Sequence, residues 1–375
     1  MPKTLILGAA LLVLASCSTE PTAGVAGLPQ APRDVDLRIV FGSCADDEKP
    51  DHPVWEAMLA AKPDLSILLG DNVYADSRRF SAAPSIELLR AEYAKLAASS
   101  GFAALHAAAP MLATWDDHDY GLNDGGKEFE FKAQAQKVFV EFWQLPADDP
   151  RRSRAGVYHS EWLQAGERSV QVVLLDTRYF RDAQPKKRVS LSCPVANYAK
   201  NATGSVLGEA QWQWLEAQLG KPADLRLIVS SIQVIPQEHC FEKWANFPTD
   251  RQRLLKTLAN ANGGQSVVLS GDRHLGEISA LTLPRGEDSL QLVEVTTSPL
   301  SARSGFGEGE PNQYRISEDN LRESQFGVLE LVQDQVRLEL RDAHGVTRFH
   351  HAFTLPFLRS ELGTDLPPST EVSSN

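Results

Sequence analysis

Four apolar runs in this chain end in polar clusters. They are Phe41-Gly42-Ser43-Cys44, Leu69-Gly70-Asp71-Asn72-Val73-Tyr74, Trp115-Asp116-Asp117-His118-Asp119 and Ser270-Gly271-Asp272-Arg273-His274. They supply a thiol, a phenol, carboxylates and imidazoles, all of which are metal-ligand types. One Asp or His after a strand is ordinarily a cap or turn residue. Four such clusters on successive units are harder to explain that way. Carboxylates gathered without a cation repel one another and raise their own pKa values. A metal, and with so many donors two metals, satisfies the electrostatics as well as any chemistry.

The elements that must position these clusters follow from periodicity and punctuation. Leu37 to Phe41 reads as a strand, Pro53 to Ala61 as a helix limited by Pro63, and Leu65 to Leu69 as a nearly continuous apolar strand buried on both faces. A β-α-β unit makes its two strands parallel, so Cys44 and Asp71 are predicted to share one sheet edge. Helices are predicted over Ser85–Ala98, Phe129–Phe142 and Gly208–Leu219, with another from an N-cap at Thr249 to Ala261. Pro110–Trp115, Leu225–Ser231 and Gln265–Leu269 read as further strands, with Gly156–Leu163 and Ser169–Leu175 in a second sheet. From Ile278 to Leu355 the pattern alternates without helices, which predicts antiparallel sheet completing a sandwich.

With 375 residues, 42% of them hydrophobic, the chain can bury one large core or two ordinary ones. A net charge of −12 without a basic arm argues against nucleic acid as a partner. Lys3, the apolar stretch Leu5 to Leu14 and Leu14-Ala15-Ser16-Cys17 look like a bacterial lipobox. On that likeness residues 1–17 are a lipoprotein-type signal peptide and a lipidated Cys17 tethers the protein to a membrane. The alternative is an ordinary secretory signal; either places the protein outside the cytoplasm, in the bacterial cell envelope (periplasm or outer surface). Residues 18–36 read as a linker and 357–375 as a polar tail. Without Cys17 the cysteines are Cys44, Cys193 and Cys240, one pair and one singleton. Cys193 and Cys240, both in loop-like sequence, make the better pair and leave Cys44 over.

The four clusters together resemble the calcineurin-like metallophosphoesterases, and within them the PhoD-like alkaline phosphatases, from about Leu37 to Leu355. Gly70-Asp71-x-x-Tyr74 matches the purple acid phosphatase form of one block, in which the tyrosine ligates ferric iron. Cys44 stands where the general pattern has aspartate, Asp116-Asp117-His118 where it has Gly-Asn-His, and Gly271-Asp272-Arg273-His274 where it has Gly-His-x-His. Those departures, with Leu175-Asp176-Thr177-Arg178, are the ones the PhoD-like branch shows.

The resemblance implies an α/β fold, a four-layer αββα sandwich of two mixed β-sheets (the metallo-dependent phosphatase fold), with residues 37–356 as catalytic domain. It implies two or more metal ions, Fe3+ and Ca2+. Asp71 would bridge them, Cys44, Tyr74 and His274 would complete the ferric site, and Asp272 would hold the second ion with Asp117 or Asn123. Ser231-Ile232-Gln233 replaces the general family's further histidine, which leaves the second site oxygen-rich and suited to calcium. His118 would protonate the leaving alkoxide or steady the nucleophile. Arg178 would neutralise a phosphate oxygen, or form no more than a surface ion pair; Arg273 is a lesser candidate for anion contact.

The implied activity is hydrolysis of a phosphate-ester substrate, monoester or diester, by a metal-bound hydroxide, in a monomer. Alternatives are a phosphodiesterase for cell-envelope or phospholipid diesters and a non-catalytic metal-binding lipoprotein. Gly121 to Lys127 has the outline of a P-loop, but Glu128 replaces its Ser or Thr, and neither Gly-x-Ser-x-Gly nor His-Glu-x-x-His occurs.

Overall fold

A computed structural model describes residues 35–46, 51–76, 85–191, 193, 197–302 and 310–356. The signal-peptide and tail readings at 1–17 and 357–375, and the linker through residue 34, lie outside the described residues. No described helix is long and apolar enough to cross a membrane.

Two six-stranded sheets form the centre. The first runs β12-β11-β10-β1-β2-β3, from β1 (Leu37–Gly42), β2 (Leu65–Leu68), β3 (Met111–Ala113), β10 (Gln325–Val332), β11 (Gln335–Asp342) and β12 (Thr347–Thr354). The second runs β4-β5-β6-β7-β9-β8, from β4 (His159–Ala165), β5 (Arg168–Leu174), β6 (Ala223–Ser230), β7 (Gly263–Ser270), β8 (Glu277–Arg285) and β9 (Asp288–Thr296). Both are mixed: β1, β2 and β3 are parallel, as are β5, β6, β7 and β9, while hairpins add antiparallel strands outside them.

The continuous apolar runs are explained by burial on both faces. Ile39, Phe41, Ile67, Val172, Leu227 and Val267 pack between the sheets, whereas their neighbours Val40, Leu68, Val173, Ile228 and Val268 face outward. On the outer face of the first sheet lie α1 (Pro53–Ala60), α2 (Ile86–Ala98), α3 (Ser100–Ala108) and, after the single turn α4 (Asp117–Tyr120), α5 (Lys132–Phe142), through residues such as Trp55, Leu89, Phe102 and Phe139. On the second lie α6 (Gly208–Leu219) and α7 (Pro248–Ala259), through Trp212, Leu215, Leu254 and Leu258. Period-2 alternation thus divides each strand between two cores, giving the αββα sandwich.

Two local expectations are corrected and one helix is added. The strands after Ile278 do not form one antiparallel sheet: β8 and β9 join the second sheet, with β9 parallel to β7, and β10–β12 join the first. Thr249 is not the N-cap of α7; Pro248 already occupies the first turn and the Thr249 hydroxyl donates to Ala202 O at 2.6 Å. Helix α3, capped by Ser99 Oγ on Phe102 N, escaped the sequence reading because its short Ala-rich pattern carries little periodicity.

Candidate metal centre

All four polar clusters follow parallel strands, so they emerge at the carboxyl edges of the two sheets. Two glycines allow the close approach. A Cβ on Gly70 (φ +114°) would lie 2.7 Å from Asp116 Cβ, and one on Gly271 would lie 2.4 Å from Ser43 Oγ. The second contact joins the loop after β7 to the loop after β1, across the seam between the sheets.

Among the described residues three groups of donor atoms result, each within 4.8 Å: Cys44, Asp71 and His274; Asp71, Asp117 and His118; and Asp71, Asp116, Asp117 and Asp272. Asp71 belongs to all three. Cys44 Sγ lies 3.4 Å from Asp71 Oδ2, and Tyr74 Oη 3.2 Å from His274 Nε2. The structure therefore brings together Cys44, Asp71, Tyr74, Asp117, His118, Asp272 and His274.

Backbone conformation separates these residues from ordinary turn residues. Cys44 (φ 60°), Asp71 (52°), Asp272 (64°) and His274 (51°) are all left-handed without being glycine. Each such residue costs about 1–3 kcal/mol and persists where its surroundings over-determine it. Those surroundings are visible: Asp71 N donates to Asp119 Oδ1 at 3.3 Å, His274 N to Ser298 Oγ at 2.9 Å, and Cys44 N to Gly70 O at 3.2 Å.

The centre is electrostatically incomplete on its own. Burial, more than any neighbour, pushes the Cys44 thiol up to about 12. Burial, then Cys44 and Asp117, hold the Asp71 carboxyl well above its usual range. Asp272 is raised to about 7 by burial, with Asp117 and Glu242 adding to it, and Asp116 to about 7 by burial against the opposing pull of Arg178. Asp116 Oδ2 is buried without a hydrogen-bond partner. Cations would remove the repulsion, and the donors suit them. One group mixes sulfur, imidazole and carboxylate, with the Tyr74 phenol beside it; a second pairs two carboxylates with imidazole, and the third is carboxylate throughout.

The remaining expected residues lie as follows. Asn123 Nδ2 donates to Asp124 Oδ2 at 2.7 Å, and Asp124 N to Asp117 Oδ2 at 2.7 Å, so Asn123 borders the carboxylate group. His118 turns Nδ1 toward Asp76 Oδ1 at 3.1 Å, gives its backbone N–H to Asp71 Oδ1 at 3.3 Å, and packs its ring 4.4 Å from that of Tyr74. Arg178 is fully buried, which excludes the surface ion pair. Its Nε donates to Asp116 Oδ1 at 2.5 Å and its Nη1 to both Glu242 carboxylate oxygens at 2.8 and 2.9 Å. Cys193 and Cys240 form a disulfide and Cys44 is a free, buried thiol.

Several contributors were not picked out from the sequence. Asp116 sits inside a quoted motif, and Asp76 lies two residues beyond another. Asp119 accepts the Asp116 and Asn72 backbone N–H groups, at 2.6 and 3.1 Å, and so clamps two strand ends. Ser298, whose hydroxyl lies 2.9 Å from Cys44 Sγ, follows β9 and is preceded by no continuous apolar run. Glu242 had no local signal.

Comparison with known proteins agrees with this geometry. The family described as PhoD-like phosphatase matches residues 39–342. Alkaline phosphatase D of Bacillus subtilis (strain 168) is 25% identical over 319 residues, covering 76% of this chain and 53% of that one, so the chain spans about half the length of this curated relative. Among solved structures, "Structure of PhoD" superposes with TM-score 0.67 at 20% identity, covering 85% of this chain and 70% of that one. "GAP50 the anchor in the inner membrane complex of Plasmodium" superposes with TM-score 0.51 at 11% identity, covering 86% and 89%. The structural likenesses show the fold; the family match takes in every donor residue of the centre, from Cys44 to His274. The chain belongs to the PhoD-like phosphatase family.

Proposed function

We propose that this protein is a secreted or lipid-anchored, metal-dependent phosphatase acting on phosphate esters, with residues 37–356 as its catalytic domain. The observation that carries the proposal is the convergence of left-handed Cys44, Asp71, Asp272 and His274 on donor groups that share Asp71. Cys44, Asp71, Tyr74 and His274 would hold a ferric ion. Asp71 and Asp272, with Asp117 or Asn123 and with Asp116 added by its position, would hold calcium. When bound, such ions supply Lewis acidity at phosphorus and acidify a water.

The chain's own residues have separate tasks. Asp76 faces His118 Nδ1 and favours the tautomer with its proton there, so that Nε2 can exchange a proton with the leaving group. Arg178, closed between Asp116 and Glu242, holds Asp116 in place; its proposed role moves from phosphate contact to positioning. Export is supported by the Cys193–Cys240 disulfide, a bond that persists in oxidising compartments, and a lipidated Cys17 is the tether we propose. A monomer with no nucleic-acid partner completes the proposal.

The test is hydrolysis of p-nitrophenyl phosphate and of its bis ester at neutral-to-alkaline pH, with elemental analysis of the active protein. Iron and calcium in the active fraction are expected, and relative rates on the two esters decide between monoester and diester. Undiminished activity after exhaustive chelation would refute the metal-dependent reading.

A further inference from the structure

Residues 239–243 run alongside the metal centre. Glu242 turns to Arg178 and Arg181, while the Phe241 ring carries the Arg273 guanidinium at 3.9 Å. Arg273 lies between the candidate ligands Asp272 and His274. This places His239, Lys243 and Arg273 together, exposed to only 5%, 4% and 4%.

Their polar atoms are poorly matched by the protein. Lys243 Nζ donates to two backbone carbonyls, His239 O at 2.5 Å and Phe241 O at 2.9 Å, and among the described residues no carboxylate pairs with it. Both ring nitrogens of His239 are buried without a partner, and so is Arg273 Nε. Glu310 is ion-paired with Arg273, on Nη2 at 2.5 Å, while Asp272 adjoins Arg273 and Glu238 and Lys200 lie within electrostatic reach of Lys243. Unpartnered buried donors are destabilising, so a ligand that accepts from them is the economical explanation.

We propose that His239, Lys243 and Arg273 form a subsite for a second oxyanion, a phosphate or carboxylate carried on the leaving portion of the substrate. The inference rests on the phosphatase reading for its substrate and on geometry for the subsite. Arg273 Nε and the His239 ring would donate to the oxyanion and Lys243 would neutralise it. The Cys193–Cys240 disulfide pins the segment next to His239, so the subsite is pre-organised. Burial, then Lys243 and Arg273, hold the His239 imidazole well below its usual range, and burial lowers Lys243 to about 7; an anion would relieve both.

His239→Leu is the decisive variant, because it breaks no hydrogen bond in the protein. In the chelated, metal-free protein the thermal midpoint is titrated with sodium sulfate against sodium chloride at equal ionic strength. Sulfate is expected to bind the unaltered protein about fivefold or more tightly than His239→Leu and Lys243→Met, read from linkage of stability to ligand concentration. In the metal-loaded enzyme, kcat/KM for 4-carboxyphenyl phosphate over phenyl phosphate is expected to exceed about five and to fall toward one in both variants. An equal sulfate response in all three proteins overturns the subsite. A lost sulfate response with an unchanged substrate ratio overturns the leaving-group assignment and makes the ligand a free oxyanion. Failure to hydrolyse either ester refutes the phosphatase reading instead, while the sulfate titration still decides the subsite. Should Lys243→Met not fold, His239→Leu alone carries both measurements.

Discussion

Replacing Arg178 by methionine separates two roles that the sequence left open. The guanidinium is fully buried, 2.5 Å from Asp116 Oδ1 through Nε and 2.8 Å from Glu242 through Nη1. Methionine fills most of the volume but removes the charge, leaving Asp116 without its guanidinium and Glu242 with Arg181 alone. Breaking a buried pair by deleting one partner costs about 3–5 kcal/mol, a large part of a typical total stability of about 5–15 kcal/mol. Asp116 and Glu242 are already raised to about 7 by burial with Arg178 opposing that rise, so its loss favours their protonated forms at neutral pH. Asp116 would then be a poorer ligand, and removal of such supporting partners typically costs about 10–100-fold in metal affinity. The assays are urea unfolding of the chelated protein and calcium titration of the iron-loaded protein. Lost stability together with weakened calcium binding is expected. Unchanged stability and metal affinity with a raised KM would refute the positioning argument and return Arg178 to the substrate.

In Asp76→Asn the His118 ring loses its carboxylate partner, and kcat is expected to fall about 10–100-fold with a displaced pH–rate profile and intact metal content; an unchanged profile would remove His118 from proton transfer. Tyr74→Phe should abolish the visible charge-transfer band expected of a ferric tyrosinate, and a colourless, iron-free active enzyme would contradict the ferric assignment. In the metal-free protein, Asp116, Asp119 and Asp272 carry folded-state pKa values raised to about 7, above their unfolded value near 3.8. The folded state then binds more protons, so stability is greatest below about pH 4 as far as these groups are concerned and falls as pH rises through about 7. Chemical denaturation at several pH values, with and without calcium, checks the sign; metal should flatten the decline. Cys193→Ser or Cys240→Ser should cost about 4 kcal/mol from a cross-link across 47 residues of sequence, with iron content retained.

The chemistry was legible in the sequence where it is local. A strand buried on both faces is written as an apolar run, and the polar residues that end it are written next to it. Cys44, Asp71, Tyr74, Asp117 and His274 could therefore be read from such runs, and parallel connection alone predicted that Cys44 and Asp71 would meet. The pairing of Cys193 with Cys240 needed only compartment and counting. What could not be read depends on contacts between distant segments. Asp116 reaches Arg178 across 62 positions, Arg178 reaches Glu242 across 64, and Ser298 reaches Cys44 across 254.

None of these residues carries a local mark of its partner, because a loop glutamate or serine is equally at home in water. Their roles arise when two sheets pack with their carboxyl edges at one seam and bury the groups found there. Tertiary structure also buries Arg178 against Asp116 and Glu242, which is why its proposed role is positioning and not substrate contact: exposure, not residue type, decides whether a guanidinium is available. The sequence by itself determined which donors gather at the strand ends. Packing decided which charges hold them there, since only burial turns a distant carboxylate into an obligatory partner.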